Sequence, residues 1–100
     1  MTLTVNEMDR ITRLGGFAAN LLVDESFKDV IRGLKDDAIS GWTNAKSPDE
    51  REGFWRDIQA VGRLENTLKT LKENYHVELA KQQAETQKQH RQAYQEAARG

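Results

Sequence analysis

The chain has 100 residues and a mass of 11.4 kDa, enough for one domain. Apolar residues make up 37% and charged residues 31%, so the chain buries a thin core and leans on a partner or on self-association. Zero cysteines exclude disulfides, thiolate metal sites and cysteine nucleophiles, and one proline with seven glycines argues against turn-dense β architectures. The net charge of −1 hides a gradient: residues 1–50 carry six basic and nine acidic side chains, residues 51–80 five of each, and residues 81–100 four basic and two acidic. No apolar run is long enough to span a membrane, and MTLTVNEMDR lacks the basic start and apolar stretch of a secretory signal. The expectation is therefore a protein neither secreted nor transmembrane.

The hydrophobic pattern predicts three helices and no strand. The first runs from about residue 6 to 23, with Met8, Ile11, Leu14, Ala18, Leu21 and Leu22 on one stripe and Asn6 or Thr4 as its cap. Gly15 and Gly16 interrupt it at a cost of roughly 1 kcal/mol each relative to alanine. Kinking or plain tolerance is preferred for this pair over close approach of another backbone.

Asp24 offers the cap for a second helix, about 25–43, whose inner face is predicted to carry Phe27, Val30, Ile31, Leu34, Ala38 and Trp42. Asp36, Asp37 and Gly41 weaken its second half, so fraying towards Thr43 is expected. Ser47-Pro48-Asp49-Glu50 is a helix-start signal, with Ser47 as cap, Pro48 at the first helical position and Glu50 completing a capping box.

The third helix is predicted from 48 to 79, and its apolar positions include Phe54, Trp55, Ile58, Val61, Leu64, Leu68, Leu71, Tyr75 and Leu79. From Val61 to Tyr75 the spacing is heptad-like but covers only about two heptads, so packing within the chain and packing between chains both remain open. Trp42 and Trp55 flank the loop, which suggests a clamp where the hairpin closes, with an exposed aromatic hot spot as the competing reading. Residues 80–100 hold six glutamines, five alanines and one large apolar side chain, Tyr94. These are good helix formers with little to bury, so this segment is predicted as a polar helical arm or tail that frays when free. The expected fold is thus all-α, a small three-helix domain over 1–79 with its long C-terminal helix extending as the arm.

Candidate chemistry is sparse. His76 and His90 lie about 21 Å apart along one helix and cannot share a metal ion within one chain. Asp36-Asp37 point in different directions, no phosphate-cradling loop is present, and Ser26, Ser40 and Ser47 have no histidine near them in sequence. The expectation is no catalytic residue, no metal, no cofactor and no small-molecule substrate. Along the third helix, Lys81, Lys88, Arg91 and Arg99 are the candidate nucleic-acid contacts, but interleaved acids neutralise much of this charge. Glu65 is expected to pair with Lys69, and Glu78 with Lys81. Nucleic-acid binding is therefore a secondary reading.

The run from Leu21-Leu22 through Phe27 to Trp42, then Arg51, Glu52, Phe54 and Trp55, resembles a class of small helical proteins encoded among virion-assembly genes of tailed phages and prophages. The resemblance covers roughly residues 15–80 and leaves out the glutamine-rich tail. It implies a phage context, with the virion or the bacterial host cytoplasm as location. Together with the thin core and long helix, it leads to the expectation of a non-enzymatic virion or head-assembly component. Such a protein would associate with itself or other virion proteins through Phe54, Trp55, Ile58, Val61, Leu64, Leu68, Leu71, Tyr75 and Tyr94. A small terminase subunit-like DNA-packaging adaptor and a regulator that inhibits a host factor are the alternatives.

Overall fold

A computed structural model describes residues 3–99. Met1, Thr2 and Gly100, which belong to the segments 1–79 and 80–100 drawn from sequence, lie outside the described residues. The fold is all-α, with three helices in the order α1 (Val5–Val23), α2 (Glu25–Thr43) and α3 (Pro48–Arg99).

Local side-chain chemistry sets each boundary. Thr4, not Asn6, caps α1. The Glu7 N–H donates to Thr4 Oγ1 at 3.1 Å, and the Glu7 carboxylate accepts from the Thr4 N–H at 3.0 Å. Asp24 is the only residue between α1 and α2, and it serves both. Its N–H donates to the Leu21 carbonyl at 3.1 Å, and its carboxylate accepts from the Phe27 N–H at 2.7 Å. The expected fraying of α2 does not occur. The Asn44 N–H donates to the Ser40 carbonyl at 3.0 Å and the Ala45 N–H to the Trp42 carbonyl at 3.4 Å, and Thr43 Oγ1 and the Asn44 side-chain amide add bonds to the Ile39 and Ser40 carbonyls, both at 2.9 Å. At the start of α3, Ser47 Oγ accepts from the Glu50 N–H as anticipated, while the Glu50 carboxylate takes the N–H of Lys46, one residue ahead of the cap.

α1 and α2 lie one after the other along α3 and antiparallel to it, touching each other far less than either touches α3. Gly41 meets Phe54, Lys35 pairs with Glu65, and Gly15 meets Leu71 and Tyr75, so α3 partners climb as the α1–α2 numbers fall. The result is a helical hairpin whose first limb is broken at Asp24. It measures 81 × 29 × 18 Å, and its 21.9 Å radius of gyration far exceeds the ~13 Å of a compact domain this size. The length comes from α3, whose 52 residues span about 78 Å.

The seam is thin. Ala18, Ile31, Ala38 and Leu68 are the buried apolar side chains, joined by Gly15, and no polar side chain among the described residues is buried. Two readings of the sequence need correction here. Val30 and Leu34, placed on the inner face of α2, are 58% and 48% exposed, because α3 covers only the narrower strip centred on Ile31 and Ala38. Gly15 does not interrupt α1, which is one helix from Val5 to Val23. A Cβ there would run into Tyr75 Cβ, lie 2.8 Å from Tyr75 Cγ and 3.0 Å from the Leu71 carbonyl oxygen. Gly15 is a close-approach glycine, whereas Gly16 faces open space.

α3 continues without a break past Leu79, and every residue from Lys81 to Arg99 is exposed. Its helical geometry beyond the seam therefore rests on its own backbone hydrogen bonds and propensity.

Two predictions follow from this packing. Gly16→Ala should raise stability by about 0.5–1 kcal/mol through helix propensity. Gly15→Ala should lower it by about 1–3 kcal/mol, because Tyr75 Cβ and the Leu71 carbonyl cannot swing aside. Urea denaturation of the two single variants beside the parent chain measures both signs. In hydrogen exchange on the free protein, amides of Gln87–Tyr94 should exchange at least about a hundredfold faster than those flanking Leu68. Equal protection in both regions would contradict this.

Candidate interaction surface

The heptad-like stripe on α3 is largely used inside the chain. Leu68 is buried, and Phe54, Ile58, Val61, Leu71 and Tyr75 are half-buried against α1 and α2. Of the residues singled out for partner contact, Leu64 at 45%, Trp55 at 47% and Tyr94 at 77% exposure are the ones presented to solvent.

At the closed end of the hairpin the two tryptophans do not form the expected clamp. Phe54 lies over Gly41, so close that a Cβ on residue 41 would sit 2.6 Å from its Cζ. Adjacent helical residues point about 100° apart, so seating Phe54 in the seam turns Trp55 outward. Trp42 is 43% exposed and carries the Arg51 guanidinium 5.9 Å from its ring centroid, within cation–π range. The ring pair found among the described residues is instead Tyr75 with its neighbour His76, centroids 5.6 Å apart.

One ion pair spans the seam near its middle. Lys35 Nζ stands 2.6 Å from a Glu65 carboxylate oxygen, the one ion pair between helices among the described residues. Glu65 thus reaches across to α2 rather than along α3 to Lys69, as the sequence had suggested. A cross-helix partner is available because α2 lies alongside. Glu78 and Lys81 do pair, at 3.3 Å.

Two grooves flank the seam and differ in sign. One, of about 350 Å³, lies near the α1–α2 joint over Leu22, Phe27 and Ile31, with Lys28, Arg32, Lys35 and Lys69 around it and Glu65 the only acid. Lys28 and Arg32 are matched by Glu25 and Asp29 one turn away. The other, of about 310 Å³, lies between α2 and α3 over Leu34, Ala38, Phe54, Ala60 and Val61, with Asp37 and Asp57 as its only charged residues. Neither aspartate has an ion-pair partner among the described residues. Sequence reasoning missed this second groove because it placed Leu34 in the core.

On the arm, Lys81, Lys88, Arg91 and Arg99 fall within about 80° of the helix circumference at ~100° per residue. All four are exposed, and only Lys81 has an ion-pair partner among the described residues. His76 and His90 are exposed, as are Asp36 and Asp37, and no group of three or more His, Cys, Asp or Glu among the described residues is placed to hold a metal ion. No helix is long and apolar enough to cross a membrane. No family model, curated protein or solved structure matches the chain.

The two neighbouring aromatics should separate cleanly on substitution. Phe54→Ala should cost about 1–3 kcal/mol of stability, because it empties the half-buried position over Gly41. Trp55→Ala should stay within about 0.5 kcal/mol of the parent. Thermal and urea unfolding of the two variants checks this, and a large loss for Trp55→Ala would place that ring in the seam.

Proposed function

We propose that this chain is a non-enzymatic structural component of phage virion or head assembly, acting through helix-mediated association with copies of itself or with other virion proteins. The observation that carries the reading is the imbalance between core and surface. Four apolar side chains among the described residues are buried, while Phe17, Val30, Leu34, Trp55 and Leu64 stand about half exposed on a hairpin only 18 Å thick. A narrow body with this much apolar surface gains by being covered. A standard interface takes ~800 Å² from each partner, about a tenth of the 8204 Å² that this chain exposes. Apolar area covered there contributes ~25 cal/mol per Å² before ordering costs. The phage context rests on the residue pattern from Leu21 to Trp55, and the virion or the host cytoplasm is the location that goes with it.

Mass spectrometry of purified particles from the phage or prophage that encodes the chain tests the proposal. The protein should be present at fixed copy number relative to the major head protein. Its absence from particles, with recovery in a tight 1:1 complex with a host protein, would replace the reading by a host-directed regulator. Absence with salt-sensitive DNA binding, weakened in Lys88→Glu/Arg91→Glu, would replace it by a DNA-packaging adaptor.

A further inference from the structure

We infer that the C-terminal arm of one copy docks in the Asp37–Asp57 groove of a second copy, with Tyr94 as the apolar anchor and Arg91 and Lys88 as charge partners. The inference rests on the assembly reading and gives that association a donor, an acceptor and a polarity.

The groove has an apolar floor, built from Leu34, Phe54 and Val61, and two aspartates without ion-pair partners among the described residues. The arm has the complementary set. Tyr94 is 77% exposed, and Arg91 and Lys88 follow it at successive three-residue steps, so the three side chains are neighbours on the helix surface. Neither basic side chain has an ion-pair partner among the described residues. A tyrosine suits such a site, because it brings a large apolar ring at low entropy cost and keeps its hydroxyl at the wet rim.

In the helical state the occupant is not the chain's own arm, because Tyr94 and Val61 lie 33 residues apart on one unbroken helix, about 50 Å. Nor does charge favour the other sites an arm could choose. The larger groove beside Leu22 and Phe27 is ringed by Lys28, Arg32, Lys35 and Lys69, the same sign as the arm. Pairing arm against arm through Tyr94 brings Arg91 and Lys88 towards their own copies. Residues 1–80 carry 11 basic and 14 acidic side chains, net −3, while residues 81–100 carry four and two, net +2. The arm-in-groove arrangement sets these opposite signs against each other. Donor and acceptor occupy different parts of the molecule, so the contact is heterologous and each copy can give and receive at once.

Sedimentation velocity on the full chain, at low and at high salt, tests the inference with two variants at exposed positions. Arg91→Ala/Tyr94→Ala disables the donor, and Asp37→Lys/Asp57→Lys disables the acceptor. Helical circular dichroism confirms that both fold. The parent chain should form dimers or larger species that weaken as salt rises. Each variant alone should associate at least about tenfold more weakly. An equimolar mixture of the two should give a 1:1 heterodimer and nothing larger, because one working arm and one working groove remain. A parent chain that stays monomeric at both salts overturns the inference, as does a mixture that stays monomeric. Undiminished association in either variant also overturns it, moving the interface to another apolar face and leaving the assembly reading standing. Loss of the protein from particles would remove the assembly reading without altering the sedimentation result.

Discussion

A side chain at residue 15 would need the space held by Tyr75, and one at residue 41 the space held by Phe54. These two glycines let the broken limb of the hairpin lie close along α3, and much of the molecule's character comes from that approach. At the tightest contacts the bulk is unevenly divided. α3 contributes Phe54, Leu68 and Tyr75, and the facing limb contributes Gly15, Ala18, Ala38 and Gly41, with Ile31 the one large buried side chain on that limb. Small residues opposite large ones bring the axes together and fill the contact from one side. They also bury little area. Of the large apolar residues of α1 and α2, Ile11, Leu14, Leu21, Leu22 and Phe27 are half-buried, while Phe17, Val30, Leu34 and Ile39 stand off the contact strip and face outward. The close seam and the apolar exterior have the same origin.

What was legible in the sequence is what depends on near neighbours. The Asp24 cap, the Ser47-Pro48 start and the Glu78–Lys81 pair all act within three or four residues, and the structure holds each of them. What was not legible depends on which helix lies opposite. Glu65 has Lys69 one turn away, yet Lys35 on α2 takes it, and nothing local announces that choice. A Gly-Gly pair reads as a weak point until Tyr75 is set against one member of it. Trp42 and Trp55 draw attention by size, yet the closing contact belongs to Phe54 and Gly41, since one step along a helix turns a side chain by about 100°. The candidate surface follows the same division. The exposure of Tyr94 on a polar arm was readable from composition. The acidic groove was not, because it exists only where α2 and α3 leave Leu34 partly uncovered.

The arm has a definite energetic position. Its glutamines, alanines, lysines and glutamates favour helix, but no tertiary contact covers residues 81–99. Isolated helical segments near this length are marginal in water. Any partner that orders the arm therefore supplies the stabilisation that tertiary packing supplies elsewhere, and loses some of its binding free energy to that ordering. A single Tyr94 contact with two charge pairs is a modest interface by that measure. Modest contacts suit assembly, since a copy that both gives and receives is held twice, and the second contact benefits from the position fixed by the first.

The geometry of α3 then sets the scale of any array built this way. Groove and anchor sit about 50 Å apart along one continuous helix, so once docking orders the arm, that length sets the upper limit on how far successive copies advance. Whether the series closes depends on the rotation and rise between donor and acceptor. A rotation that divides a full turn, with no rise along the axis, gives a ring, and any other arrangement gives a helical filament. The single residue between α1 and α2 lies off this path, because the acceptor groove is built from α2 and α3 and the donor from α3 alone. Changes at Asp24 therefore act on the stability of the hairpin, while the spacing and polarity of the array depend on α2, α3 and the seam that joins them.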